Sequence, residues 1–207
     1  AVVDQRTCQN EPMKRVAING FGRMGRLATR IIQERSDLQI VVINEPNGAL
    51  ETLALLLEFD SVQGRWAHAC TPAGESALAI AGRSVQVLRE NDPARLPWRD
   101  YSVDLVLECS GKFKTRELLA PHLTNGARRV VVSETMKGLS ANVVMGVNEA
   151  SFDLAREQFV SAASCTTNCL APLVRVLHDA IGVERGLVTT IHDPTNTQSV
   201  QDAPHKD

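Results

Sequence analysis

Arg15-Val16-Ala17-Ile18-Asn19-Gly20-Phe21-Gly22-Arg23-Met24-Gly25 decides the fold. A short apolar run, Arg15 to Asn19, reads as a buried strand and breaks into Gly-x-Gly-x-x-Gly, and the residues from Arg23 to Arg35 read as a helix. The three glycines serve different ends, one permitting the tight turn, one letting a pyrophosphate approach the backbone, and one letting the helix pack closely on the strand. The helix N-terminus then offers free N–H groups to the phosphates. A second buried strand, Leu38 to Asn44, leads to Glu45, which stands 20 residues past Gly25 (45 − 25), where a carboxylate would hold the adenosine ribose hydroxyls. A negative charge there repels a ribose 2′-phosphate, and no arginine directly follows it, so NAD is expected rather than NADP.

Outward from this stretch the chain alternates Val/Ile-rich runs with helical segments, the pattern of βα units on a parallel sheet. Leu50 to Glu58 reads as a helix and Ala77 to Leu88 as a hairpin around Gly82 inserted into the repeat. The repeat resumes with a strand over Val103 to Glu108, a helix over Thr115 to Leu123 that Thr115 could cap, and strands at Arg129 to Ser133 and Val143 to Val147, followed by a short run from Phe159 to Ser161. Ser164-Cys165-Thr166-Thr167-Asn168-Cys169 opens an apolar-periodic helix towards Ile181, and a strand is expected from Leu187 to Ile191. The fold class is therefore α/β: a Rossmann-type doubly wound parallel sheet followed by the beginning of an α+β catalytic domain. The boundaries are 1–12 for a polar, disordered extension, 13–164 for the NAD-binding domain and 165–207 for the first part of the second domain. Met13 is the expected natural start.

With 207 residues, 43% of them apolar, the chain can fill a core, and 22 basic against 24 acidic side chains give no field to draw nucleic acid or an anionic membrane. Apolar runs such as Leu53 to Leu57 are far short of the ~20 residues that span a bilayer. Five cysteines without paired CxxC spacing argue against a zinc site or a disulfide framework, so no metal and a reducing cytoplasm are expected. Cys165 falls at a predicted helix start, where free N–H groups and partial positive charge favour thiolate. Cys169 reads as a small buried hydrophobe. His192 ends the predicted last strand and has the side chain suited to relay protons near neutral pH. The polar segments Ser164 to Asn168 and Thr195 to Gln198 supply hydroxyls and amides suited to oxyanions or phosphates, or to capping and turns.

Two motifs, Ala17-Ile18-Asn19-Gly20-Phe21-Gly22-Arg23-Met24-Gly25-Arg26 and Ala163-Ser164-Cys165-Thr166-Thr167-Asn168-Cys169-Leu170-Ala171-Pro172, closely resemble the two signatures of phosphorylating glyceraldehyde-3-phosphate dehydrogenases. The likeness runs on through Glu108-Cys109-Ser110-Gly111, Met145-Gly146-Val147-Asn148 and His205-Lys206-Asp207. The resemblance implies that Cys165 is the nucleophile and His192, 27 residues on (192 − 165), its base. It implies oxidation and phosphorylation of glyceraldehyde-3-phosphate through a cysteine thioester, with the Cys165 N–H as an oxyanion donor. Ser164 and Thr166 match positions near the attacking phosphate and Thr195 one that holds the substrate's own phosphate. Arg23 and Met24 would lie against the pyrophosphate, Phe113 near the adenine and Ser133 near the nicotinamide. A homotetramer is also implied.

Glu45 stands where the family more often has aspartate, which also looks like erythrose-4-phosphate dehydrogenases, although those tend to lack a match to Thr195. Phe59-Asp60-Ser61-Val62-Gln63-Gly64-Arg65-Trp66 and His192-Asp193-Pro194-Thr195-Asn196-Thr197-Gln198 look like the branch associated with arsenate resistance, in which arsenate replaces phosphate. Ser133-Glu134-Thr135-Met136 departs from the usual Ser-Ala-Pro run. Family members also continue well past Asp207, so the chain is expected to be truncated after the start of the catalytic domain, with little or no turnover on its own. The alternatives are a truncated, catalytically inactive NAD-binding domain and a thiol redox sensor built on Cys165.

Overall fold

The computed structural model describes residues 12–136, 142–153 and 155–192. The extension expected over residues 1–12, apart from Pro12, and the segment carrying Thr195 lie outside the described residues. The elements are β1 (Lys14–Asn19), α1 (Arg23–Gln33), β2 (Leu38–Asn44), α2 (Leu50–Glu58), β3 (Phe59–Asp60), β4 (Gly64–Arg65), β5 (Cys70–Pro72), β6 (Ala77–Ile80), β7 (Arg83–Leu88), β8 (Leu105–Glu108), α3 (Arg116–Thr124), β9 (Arg129–Val132), β10 (Phe159–Ser161) and α4 (Cys165–Ile181).

Among the described residues, eight strands form one sheet in the order β10-β9-β8-β1-β2-β7-β6-β5. Every pair from β10 to β7 is parallel, while β6 and β5 continue antiparallel. The chain runs outward from β1 through β2 to β7, then returns to the other side of β1 with β8, β9 and β10. That is the doubly wound order, and its switch point lies between β1 and β8, where such sheets open a crevice at their carboxyl ends. The Ala77 to Leu88 hairpin is not merely inserted: its second arm, β7, pairs in parallel with β2 and is a strand of the central sheet.

Alternation along β1 builds a core on each face. Val16 and Ile18 join Ile32 of α1, Leu50, Leu53 and Leu57 of α2, and Leu78 and Val85 of the hairpin. Ala17 points the other way, with Val106, Val130, Leu119 of α3 and the fully buried Trp98. The predicted cap of α3 is present, since the Thr115 hydroxyl accepts from the Leu118 N–H at 3.4 Å.

Two expected strands do not form. At Val143 to Val147 only Asn142 bridges to β10. The chain turns instead, because the Asn148 side chain accepts from the Val144 N–H at 2.7 Å and donates to the Asn142 carbonyl at 2.9 Å, and Gly146 takes a positive φ of 81°. Turn chemistry here outweighs the apolar pattern, and among the described residues pairing with the outer edge of β10 stops at the Asn142 bridge and the Val143 N–H, which donates to the Ser161 carbonyl at 2.8 Å. Leu187 to Ile191 is also not a strand: no described strand runs beside it, and Leu187 and Ile191 are fully exposed (103% and 99%). A strand without a neighbour has no ladder to satisfy its backbone.

Candidate active site

Asn19, Asn44, Glu108, Val132 and Ser161 end β1, β2, β8, β9 and β10, so the loops that follow share one edge of the sheet. Gly20, at φ +92°, presses against the loop after β8, where a Cβ would come within 2.5 Å of the Ser110 backbone. Gly25 sits against its own loop: a Cβ there would lie 2.1 Å from the Gly20 carbonyl oxygen. Gly22, at the start of α1, has nothing within 4 Å of a Cβ position, and no side chain caps it. Gly20 and Gly25 are thus positions of close backbone approach and Gly22 an open one, at the N-terminus of α1. The Glu45 carboxylate folds back onto this loop and accepts from the Phe21 N–H at 2.8 Å and the Asn47 N–H at 3.1 Å.

Beneath the crevice runs a buried polar chain. Trp98 Nε1 donates to His122 Nδ1 at 2.9 Å, and an indole N–H can only donate, so the other ring nitrogen of His122 carries the proton facing Glu108 at 3.2 Å. Glu108, 1% exposed, also accepts from Asn19 Nδ2 at 2.5 Å, from the Ser110 N–H at 2.8 Å and from the Ser110 hydroxyl. Asn44 extends the chain, donating to Asn19 Oδ1 at 2.8 Å. Each acceptor and donor is matched, which is what makes such a network rigid. It locks the last residues of β1, β2 and β8 together and so fixes the two loops of the crevice. Sequence reasoning missed it; the signal was a polar residue directly after the apolar run of each of three strands, Asn19, Asn44 and Glu108.

The other expected cofactor residues are placed unevenly. Arg23 lies 3.4 Å from the Asp60 carboxylate and donates to the Ser61 hydroxyl at 3.2 Å, so α1 is tied to the turn after α2. Met24 is exposed. Phe113 packs edge-on to His122, with ring centroids 6.4 Å apart, against the Trp98 side of the core. Ser133 follows β9, its N–H bonded to the Glu108 carbonyl at 3.0 Å.

The chain leaves β10 through Ala163, whose φ of +59° puts a non-glycine residue in the left-handed region. Two side chains hold it there. The buried Ser161 hydroxyl donates to the Glu134 carbonyl at 2.7 Å and accepts from the Ala163 N–H at 3.0 Å, while Asn168 Nδ2 donates to the Ala162 and Ser164 carbonyls at 2.7 and 3.0 Å. Ser164 then caps α4, accepting from the Thr167 N–H at 3.0 Å, and its hydroxyl lies 3.0 Å from that of Thr166. The first helical residue is Cys165.

Cys165 is exposed, and its Sγ lies 3.2 Å from His192 Nε2. The expected strand is absent, yet the coil brings the histidine to the sulfur. That contact with His192 is the largest cause holding the thiol below the ordinary thiol range; slight burial opposes it, and the Thr166 N–H, the charge of His192 and the residue's own N–H reinforce it. Elsewhere burial pushes Cys70 and Cys109 up to about 12, so they are poor nucleophiles. Cys169 departs from expectation. It is exposed rather than buried, because no residue of α4 is buried among the described residues and its apolar Leu173, Val176 and Ile181 lie open.

The arrangement can form a thiolate selectively at Cys165 and pass a proton to its neighbour. In an iodoacetamide rate profile against pH, the Cys165 midpoint should fall below the range of a free thiol. His192→Asn removes the main cause of the lowered pKa and should move the midpoint of that profile upward, towards that range. An unmoved midpoint would leave the Cys165–His192 contact without chemical consequence.

Residues 14–116 match the family model for the NAD-binding domain of glyceraldehyde 3-phosphate dehydrogenase, and residues 164–207 match the model for the C-terminal domain of the same family. The chain is 49% identical over 193 residues to glyceraldehyde-3-phosphate dehydrogenase 3 of Nostoc sp., a match covering 93% of this chain and 57% of the relative. It is 45% identical over 193 residues to glyceraldehyde-3-phosphate dehydrogenase 2 of Bacillus subtilis, covering 93% and 56%. Against glyceraldehyde-3-phosphate dehydrogenase of Thermotoga maritima the identity is 45% over 197 residues, covering 94% and 58%. The chain thus spans a little over half the length of these relatives. Among the described residues, no helix is long and apolar enough to cross a membrane.

Proposed function

Because this chain belongs to the glyceraldehyde-3-phosphate dehydrogenase family, with the family's NAD-binding domain at residues 14–116, we propose that the protein oxidises and phosphorylates glyceraldehyde-3-phosphate through a thioester on Cys165. The observation that carries this reading is the 3.2 Å approach of Cys165 Sγ to His192 Nε2 at the N-terminus of a helix, on the same sheet edge as the glycine crevice. The thiolate attacks the aldehyde carbon and forms a carbon–sulfur bond, with the Cys165 N–H available to the developing oxyanion. NAD, when bound, supplies the acceptor for the hydride that leaves that carbon. His192, which holds the proton taken from the thiol, passes it to that oxyanion to give the hydroxyl and takes it back as the hydride leaves and the carbonyl re-forms, which leaves the thioester. Phosphate then attacks the thioester carbonyl, and Cys165 departs as thiolate.

Ser164 and Thr166 are assigned to the attacking phosphate and Thr195, outside the described residues, to the substrate's own phosphate. The Ser164 hydroxyl is already engaged in capping α4, so an anion bound there shares it with the Thr167 N–H. Gly20, Gly22 and Gly25 form the crevice for the dinucleotide, with Arg23, Met24, Phe113 and Ser133 along it. A homotetramer and a cytoplasmic site of action complete the proposal.

NADH formation from glyceraldehyde-3-phosphate and NAD, run with phosphate and then with arsenate, tests this reading on a protein of the relatives' length. Phosphate-dependent turnover is the expected result there, with little or none from residues 1–207 alone, and turnover with erythrose-4-phosphate alone would replace the substrate. The cofactor assignment has its own check. Glu45→Ala should weaken NAD binding about tenfold, the size of a lost charge-assisted pair of hydrogen bonds, and narrow the preference over NADP. Titration with both dinucleotides decides it, since equal losses for the two would remove Glu45 from the discrimination.

A further inference from the structure

Glu134 has no part in the chemistry above, yet it touches both halves of the site. It follows β9 by two residues, on the sheet edge where the crevice opens. One carboxylate oxygen lies on the loop after β8: a Cβ on Gly111, which has a φ of +73°, would be 2.8 Å from Glu134 Oε1. The other oxygen is 2.6 Å from Lys114 Nζ in the same loop. Its main-chain carbonyl takes the Ser161 hydroxyl, which in turn holds the Ala163 N–H, two residues before Cys165. The residue therefore stands between the floor of the crevice, made where Gly20 meets Ser110, and the segment that presents the sulfur. Its side chain is 32% exposed and that of Lys114 is 51% exposed, so neither charge is sealed away.

On the reading of the crevice as the NAD site, hydride transfer requires the nicotinamide ring to reach towards the substrate carbon on Cys165, and Glu134 lies between the loop after β8 and the Ser161 segment that leads to that sulfur. The ring is cationic when oxidised and neutral when reduced, so a fixed charge beside it acts on the two forms differently. We propose that Glu134 is a specificity determinant that favours the oxidised over the reduced cofactor, with Lys114 as its counterweight. This rests on the reading of the crevice as the NAD site. The carboxylate attracts the cationic ring, the ammonium repels it, and the neutral ring is nearly indifferent to both. At a separation of about 7 Å in a water-like surrounding, one unit charge changes an equilibrium about threefold, and more where the ring excludes water.

The test measures equilibrium dissociation constants of the unsubstituted protein, Glu134→Gln and Lys114→Gln for NAD and for NADH separately, at low salt. Glu134→Gln should raise the ratio of the NAD constant to the NADH constant about three- to tenfold, and Lys114→Gln should lower it about threefold. Opposite signs are the signature of charge, since a loosened loop would move both variants the same way. The shifts should also shrink at high salt, where exposed charges are screened. Unchanged ratios, or ratios moving in one direction for both variants while both cofactors still bind, would overturn the proposal. If the unsubstituted protein binds neither NAD nor NADH, the cofactor reading itself falls and the role of Glu134 falls with it.

Discussion

In the catalytically active protein, Cys165→Ser is expected to cut NADH formation from glyceraldehyde-3-phosphate by a factor of about 1,000 or more while leaving NAD affinity within about twofold. A serine hydroxyl has the same position but is almost entirely protonated near neutral pH, and the features that lower the thiol's pKa cannot bring a hydroxyl into that range. The split between rate and affinity follows from the architecture: the sulfur stands on α4 after β10, whereas the glycine crevice stands between β1 and β8. Steady-state rates and a dinucleotide titration on the same preparation check it. Residual turnover within tenfold of the parent would remove covalent catalysis at this residue.

The second large effect separates two glycines that a motif treats alike. Gly25→Ala places a methyl group 2.1 Å from the Gly20 carbonyl oxygen and 3.1 Å from Ile18 Cγ2, both in a part of the core with no slack. Helix α1 must lift from β1, at a cost of about 3 kcal/mol or more, and dinucleotide binding should be lost with it. Gly22→Ala meets nothing within 4 Å, so its stability should change by less than about 0.5 kcal/mol. Its methyl group fills the space a pyrophosphate would use, so binding should still weaken. Thermal melts and titrations of the two variants decide it. Equal melting temperatures would show that Gly25 is not a packing position, and unaltered binding in Gly22→Ala would move the phosphate elsewhere.

The contrast between these glycines shows what was legible in the sequence. Gly20, Gly22, Gly25 and Glu45 lie within 26 residues (45 − 20 + 1), so their geometry is local and follows from one strand, one turn and one helix. The parallel strands were legible for a similar reason, since burial on both faces leaves unbroken apolar runs such as Ile40 to Ile43 in β2. Strand pairing is not local. Val143 to Val147 has the composition of a strand but meets Asn148 and Gly146, and Leu187 to Ile191 has no described neighbour. The two-residue pieces β3 and β4 carry no period at all.

The candidate site divides along the same line. Cys165 at a helix start could be read from Ser164 as a cap, but its partner His192 was legible through family resemblance rather than spacing, because a 27-residue separation in sequence says nothing of a 3.2 Å contact. The polar chain joining Asn19 to Glu108 spans 89 residues of sequence, and the Ser161 link to Glu134 spans 27. Contacts of that kind exist only once the sheet has set its order.

The most direct test of the central claim is to mix the active protein with glyceraldehyde-3-phosphate and NAD in the absence of phosphate and arsenate, quench in acid, and map the modified peptide by mass spectrometry. The account predicts one 3-phosphoglyceroyl group on the peptide containing Cys165, removed when phosphate is added. NADH formed with no acyl group on that peptide, or with the acyl group on another residue, would contradict it.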